Sequence, residues 1–175
     1  MKPCLTAILL CMLFFPAAAQ KSQPVSLHIA ARANFMAYDR LKYYIHAGAG
    51  AGLQLYYNSK RKVKPLFEIN ADLFSVNKIL LVFPDGSTTA PKNAVVTALA
   101  GLAYKPVKNF ETGIIAGPSF VEGRTYAGIK PFLGISLNRM QSIKATASLT
   151  HVFEHDHVSK RNSGFISLGI AAKLF

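Results

Sequence analysis

From Tyr43 to Tyr57 the chain reads YYIHAGAGAGLQLYY. Taken in steps of two it separates into Tyr43, Ile45, Ala47, Ala49, Ala51, Leu53, Leu55 and Tyr57, and into Tyr44, His46, Gly48, Gly50, Gly52, Gln54 and Tyr56. A period of two puts alternate side chains on opposite faces of an extended chain, whereas a helix needs a period near 3.6. Globular strands usually stop at about five or six residues, and about nine to eleven tilted residues cross a bilayer. The length and phase of this stretch therefore predict a membrane-spanning β-strand with one apolar face.

The same alternation recurs along the chain. Strand one, Val25 to Phe35, sets Val25, Leu27, Ile29, Ala31, Ala33 and Phe35 against Ser26, His28, Ala30, Arg32 and Asn34; a basic turn, Asn58 to Lys64, follows strand two. Strand three starts at Pro65, where a missing N–H does least harm, and alternates Phe67, Ile69, Ala71 and Leu73 with Glu68, Asn70 and Asp72. Ile79 to Phe83 has no phase, and Pro84 to Asn93 carries the Gly, Pro and Asp signals of a loop. Strand four, Ala94 to Tyr104, is apolar on both faces; Lys105 to Asn109 is a turn, strand five runs from Phe110 to Ser119, and Val121 to Ala127 reads as a loop. Strands six, seven and eight are Gly128 to Asn138, Ile143 to Thr150 and Gly164 to Phe175, separated by a turn at Arg139 to Gln141 and a loop from Glu154 to Asn162. Eight strands with alternating short and long connections are the wiring of an antiparallel, up-and-down transmembrane barrel, in which the short turns are periplasmic.

The amino end fits export. Met1-Lys2 precedes an apolar run from Cys4 to Phe15, then Pro16 and Ala17-Ala18-Ala19, the form of a signal peptide over residues 1–19 with Gln20 opening a single barrel domain, 20–175. Lipoprotein processing at Cys11 would want a small residue before it, and Leu10 stands there. Cleavage removes both cysteines, so disulfide and thiol chemistry are excluded from the mature chain. A net charge of +12 raises nucleic acid as a partner, but export and the absence of a basic, aromatic-interleaved strand exclude it.

Alternation alone does not say which face is inside. A soluble barrel carrying an apolar ligand would turn its polar face to water and crowd it with Lys and Glu. Here that face is mostly Gly, Ser, Thr, Asn and His, while most Lys and Arg lie between strands. The apolar face ends in Phe35, Tyr43, Tyr57, Phe67, Phe110 and Phe153, as an interfacial girdle would. The expectation is an apolar exterior and a narrow polar lumen. Its charges, Arg32, Lys130 and Lys144 with Glu68, Asp72 and Glu111, are expected to neutralise one another, because eight strands leave only enough room for side chains. Arg32 and Asp72 fall near one depth on next-but-one strands and are expected to pair.

The stretch GLAYKPVKNFETGIIAG, Gly101 to Gly117, is a strand, a Pro-x-x-Asn turn and an aromatic-led, glycine-rich strand. With the eight alternating segments it resembles the small outer-membrane proteins of the OmpA/OmpX type. The resemblance implies a monomeric Gram-negative outer-membrane barrel without catalytic residues, cofactor or metal, inserted by the assembly machinery through an aromatic last residue, here Phe175. That residue falls in phase with Lys173, Ala171 and Gly169 rather than with the outward set, so either a bulge shifts the end or the signal is degenerate. Lys60, Arg61, Lys62 and Lys64 would meet anionic head groups of the inner leaflet, and Arg40-Lys42 and Lys160-Arg161 the phosphates of lipopolysaccharide. Lipid A deacylases and palmitoyl transferases also use this barrel and need a serine near a histidine. Ser159 lies close to His155 and His157, but the His-x-Ser pattern is missing. His151, His155 and His157 with Glu154 and Asp156 have no fixed metal-ligand spacing and read as a solvated loop.

Overall fold

The protein is described by a computed structural model over residues 24–38, 45–58, 61–76, 81–82, 88–89, 94–121, 123–155 and 160–175. Ten strands are described among these: β1 (Val25–Tyr38), β2 (Ile45–Tyr57), β3 (Val63–Val76), β4 (Leu81–Val82), β5 (Thr88–Thr89), β6 (Ala94–Val107), β7 (Phe110–Val121), β8 (Arg124–Ser136), β9 (Ile143–His155) and β10 (Lys160–Lys173). Eight of them close into an antiparallel barrel in the order β1-β10-β9-β8-β7-β6-β3-β2, and β4 and β5 form a separate small hairpin. Closure leaves no sheet edge, as a lipid environment demands, since a backbone group left unpaired there costs several kcal/mol.

The outward face is apolar. Leu53, Leu102, Ile114, Leu133, Leu168 and Ile170 are each about half exposed, while Arg32, Glu68, Asp72 and Lys130 are buried. This inverts a soluble barrel and rules out the ligand-carrying alternative. Phe35, Tyr57, Phe67 and Phe153 lie outward near the strand ends as the girdle requires. Tyr43 lies outside the described residues.

Several boundaries differ from the expected ones. β6 continues through Lys105-Pro106-Val107, and Val107 pairs with Phe110 around a two-residue turn. The expected loop from Val121 to Ala127 is almost wholly strand: Val121 pairs with Arg124 and Pro118 with Ala127. Gly123, at φ 76°, takes the left-handed backbone that this tight turn needs. Likewise β9 reaches His155 and β10 starts at Lys160. Glycine, proline and charged residues in these segments read as turn and interrupt the alternation. The unphased Ile79 to Phe83 contributes Leu81 and Val82 to the small hairpin.

The lumen is polar only in part. Leu99, Ala103, Ile115, Leu66 and Phe132 pack with Tyr56 inside the barrel, and Phe74, Val95, Val121, Val152 and Phe165 form a second apolar layer nearer the end away from the termini. Strand four is apolar on both faces for this reason: Leu99 and Ala103 are buried inside while Val96 and Leu102 are exposed outside.

At the carboxyl end, Leu174 N donates to Leu27 O and Leu27 N donates to Phe175 O, so two residues oppose one. That is a bulge. It brings Phe175 out of phase with Lys173 and leaves it about as exposed as Leu174.

The inverted exposure makes a direct prediction. Leu168→Arg is expected to destabilise the barrel in phospholipid vesicles by about 2–4 kcal/mol, the cost of a cation facing mid-bilayer lipid. Guanidinium unfolding in vesicles measures it, and an unchanged midpoint would mean that this face does not meet lipid.

Candidate functional site

The most built part of the interior is a polar network on β1, β2, β3, β6 and β8. Glu68 is at its centre, 1% exposed. Its Oε1 accepts from Arg32 Nη1 at 3.3 Å and Asn70 Nδ2 at 2.5 Å, and from Lys130 Nζ; its Oε2 accepts from Gln54 Nε2 at 2.6 Å. Arg32 Nη2 donates to Asn70 Oδ1, and Asn70 Nδ2 also reaches Thr97 Oγ1 at 3.1 Å. Burying ions this deeply costs several kcal/mol each unless they are paired and hydrogen-bonded. Here one carboxylate meets two cations and two amides.

The expected Arg32–Asp72 pair is not formed. Asp72 Oδ1 instead accepts from Asn34 Nδ2 at 2.8 Å, and Arg32 turns to Glu68 and Asn70. Along the ladders Arg32 faces Gly50, which faces Asp72, so the two do share a row. Barrel strands tilt by about 35–45° to the axis, which offsets neighbours inside the bore from ladder partners. Both β1 side chains accordingly reach β3 residues two positions from their own row: Arg32 meets Asn70, and Asn34 meets Asp72.

The glycines of β2 allow this. A Cβ at Gly52 would overlap Asn70 Oδ1 and Arg32 Nη2, and one at Gly50 would overlap Asp72 Oδ1. Side chains from β1 and β3 thus meet over a strand that has none at those points. The Gly-Ala repeat that marked the strand also clears the floor for the ion network.

Toward the termini, Glu111 accepts from Lys144 Nζ at 2.9 and 3.1 Å and from Tyr56 Oη at 2.7 Å. Lys144 Nζ lies 4.1 Å from the Tyr56 ring centre, and His28 meets the same ring edge-on at 5.1 Å. The six lumen charges expected from sequence are therefore all buried, but in two groups with one misassigned partner. Gln54, Asn70, Asn34 and Tyr56 complete the groups. Their inward phase was legible, and their role as bridges was not.

The expected head-group lysines divide. Arg61 and Lys62 are exposed, whereas Lys64 lies on β3, half-buried, its Nζ 3.3 Å from Asn58 Oδ1 at the barrel mouth. Lys64 faces the lumen, because strand pairing begins at Val63 and fixes its phase. Lys60 lies outside the described residues, as do Asp156, His157, Ser159 and the side chains of Glu154 and His155, so the metal and serine–histidine readings fall there. His151 is described on the outer surface, where its Nδ1 meets Tyr38 Oη above Gly164.

No family model matches the sequence, and no curated protein does. Solved structures do match the fold. Ail, the attachment invasion locus protein of Yersinia pestis, aligns at 11% identity over 85% of this chain and 97% of its own, with a TM-score of 0.51. A structure of Ail in a phospholipid bilayer nanodisc aligns at 12% identity over 85% and 98%, also at 0.51. Neisserial surface protein A aligns at 12% identity over 86% and 97%, again at 0.51. The fold is that of the small eight-stranded outer-membrane β-barrels.

The network predicts an ordering of variants. Glu68→Ala, which strands Arg32 and Lys130, should cost about 3–5 kcal/mol. Asp72→Asn, which changes one hydrogen-bonded contact with Asn34, should cost about 1 kcal/mol. Paired denaturant titrations in detergent measure both, and equal effects would mean that Glu68 is not the centre.

Proposed function

We propose that the protein is an integral outer-membrane barrel, exported with a leader at residues 1–19, that has a structural or surface-interaction role and no catalytic one. The observation that carries the closed-lumen part is the Arg32–Glu68–Lys130 cluster across the middle of the bore. A conducting pore keeps its charges hydrated, and here they are consumed by one another. The apolar layer of Phe74, Val95, Val152 and Phe165 lies beyond them and supports the same reading.

With the lumen closed, interaction is left to the rims and loops. The neighbours' names, an attachment invasion locus protein and a surface protein, support a role at the cell surface. A periplasmic terminal end would put Arg61 and Lys62, with Lys60, against inner-leaflet phospholipid head groups, and the opposite loops against lipopolysaccharide. Each basic residue near an anionic surface is worth about 1 kcal/mol. Phe175, brought out of phase by the bulge, would be available to the assembly machinery, and a monomer suffices for all of this.

Fractionation and conductance test the proposal together. The protein should sediment with outer membranes and need detergent for release. Reconstituted in planar bilayers it should give no steady conductance, while Glu68→Ala should give intermittent openings. A stable, large conductance from the unaltered barrel would overturn the closed-lumen reading, and recovery in the soluble periplasm would overturn the membrane reading.

A further inference from the structure

The two polar groups of the interior differ in charge balance. The central one sets Arg32 and Lys130 against Glu68 and Asp72 and is formally neutral. At the terminal end the barrel opens into a cavity of about 310 Å³, and its walls carry Lys64, Lys105, Lys144 and Lys173 against Glu111 alone. Four cations less one anion leave a formal charge of +3. The lysines come from four strands, β3, β6, β9 and β10, so they ring the cavity rather than line one side.

Their pairing inside the protein is incomplete. Lys144 is held by Glu111, but Lys64 and Lys105 meet only the neutral Asn58 and Gln141 side chains, and the Lys173 ammonium has no side-chain partner among the described residues. An ammonium has three donors, so each retains capacity for an incoming acceptor. One wall is His28, 3% exposed, whose Nδ1 has no hydrogen-bond partner among the described residues. Inward-facing cations of this kind cannot serve as lipid anchors on the barrel's outside. They repel one another, and the fold holds them together where Gln or Ser would have sufficed to fill the space.

We propose that this vestibule binds a multiply charged phosphate: a diphosphate or phosphomonoester, carried either by a soluble molecule or by a lipid head group. Three uncompensated ammonium groups on different sides call for a ligand with several anionic oxygens pointing apart, which one carboxylate does not supply. Lysine binds phosphate as a point charge and tolerates varied geometry. A cavity of this size holds several water molecules and has room for a small phosphorylated group. The inference stands on the cavity and its charges, and it does not depend on which side of the membrane the vestibule faces.

The test uses the mature barrel folded in an uncharged maltoside detergent, titrated calorimetrically with inorganic pyrophosphate at low salt. Saturable one-to-one binding is expected, weakened at least tenfold in Lys105→Gln/Lys173→Gln and in Lys64→Gln. Lys62→Gln, whose charge lies outside the vestibule, should bind as the unaltered protein does. Retained thermal unfolding would show that the variants fold. Repeating the titration in phosphatidylcholine nanodiscs, with and without phosphatidic acid, whose head group is a phosphomonoester, separates the sources: competition by phosphatidic acid assigns the site to a lipid phosphate, and unaffected binding assigns it to a soluble one. Absence of saturable binding, or equal weakening by Lys62→Gln and the vestibule variants, overturns the proposal.

Discussion

An eight-stranded barrel encloses a bore about as wide as the side chains that fill it. Water cannot surround an ion there, so each charge must find its partner within the wall or across the bore. Glu68 meets this constraint by accepting from Arg32, Lys130, Asn70 and Gln54 at once. The placement of small residues follows from it. Gly50 and Gly52 lie where side chains of β1 and β3 converge, and any larger residue would occupy the space used by the Arg32 guanidinium or the Asp72 carboxylate. The same device recurs on the outer surface, where Gly164 on β10 lies beneath the Tyr38 ring as it reaches from β1 to His151 on β9. In both places a strand without side chains lets its two neighbours touch.

The strand count, the inverted exposure and the inward set of β1 were legible because lipid on one face and a packed bore on the other impose a strict period of two. Where that pressure lapses, legibility lapses too. Thr125 and Tyr126, next to the glycine turn, pair in a regular ladder although the sequence there reads as a loop. Phe132 and Ile115 escaped notice for a related reason: both are apolar residues on a face assumed to be polar, and they pack with Leu99 and Tyr56 inside. Alternation fixes which face a residue shares with its neighbours. It does not say that every inward residue is hydrophilic.

The ionic partners were less legible than the strands. Counting residues from strand starts gave the correct row for Arg32 and Asp72, as the Gly50 pairings show. The error lay in treating a ladder row as a level of the bore. Strand tilt separates the two, and a long flexible side chain such as arginine then selects among several acceptors by their charge and hydrogen-bond capacity. Glu68 and Asn70 together offered Arg32 both a charge and an amide oxygen, whereas Asp72 was already engaged by Asn34. Such choices depend on three-dimensional stagger and on which neighbours lack side chains, and neither is a local property of sequence.

Within one bore, the two ends follow different rules. Between the apolar layer around Phe74 and Phe165 and the vestibule around Lys173, charge passes from none, through a balanced centre, to an excess of cations. The balanced centre serves stability, since each of its charges would be costly alone. The excess cannot be explained so, because self-repulsion among Lys64, Lys105, Lys144 and Lys173 works against folding and only Glu111 opposes it. Solvent at the mouth lowers that cost by screening, which is why such a cluster is tolerable at the end of the barrel and would not be at its middle. With the centre closed as proposed, whatever the loops contact at one end would not reach the vestibule through the lumen, and the chemistry of each end would be set by its own residues.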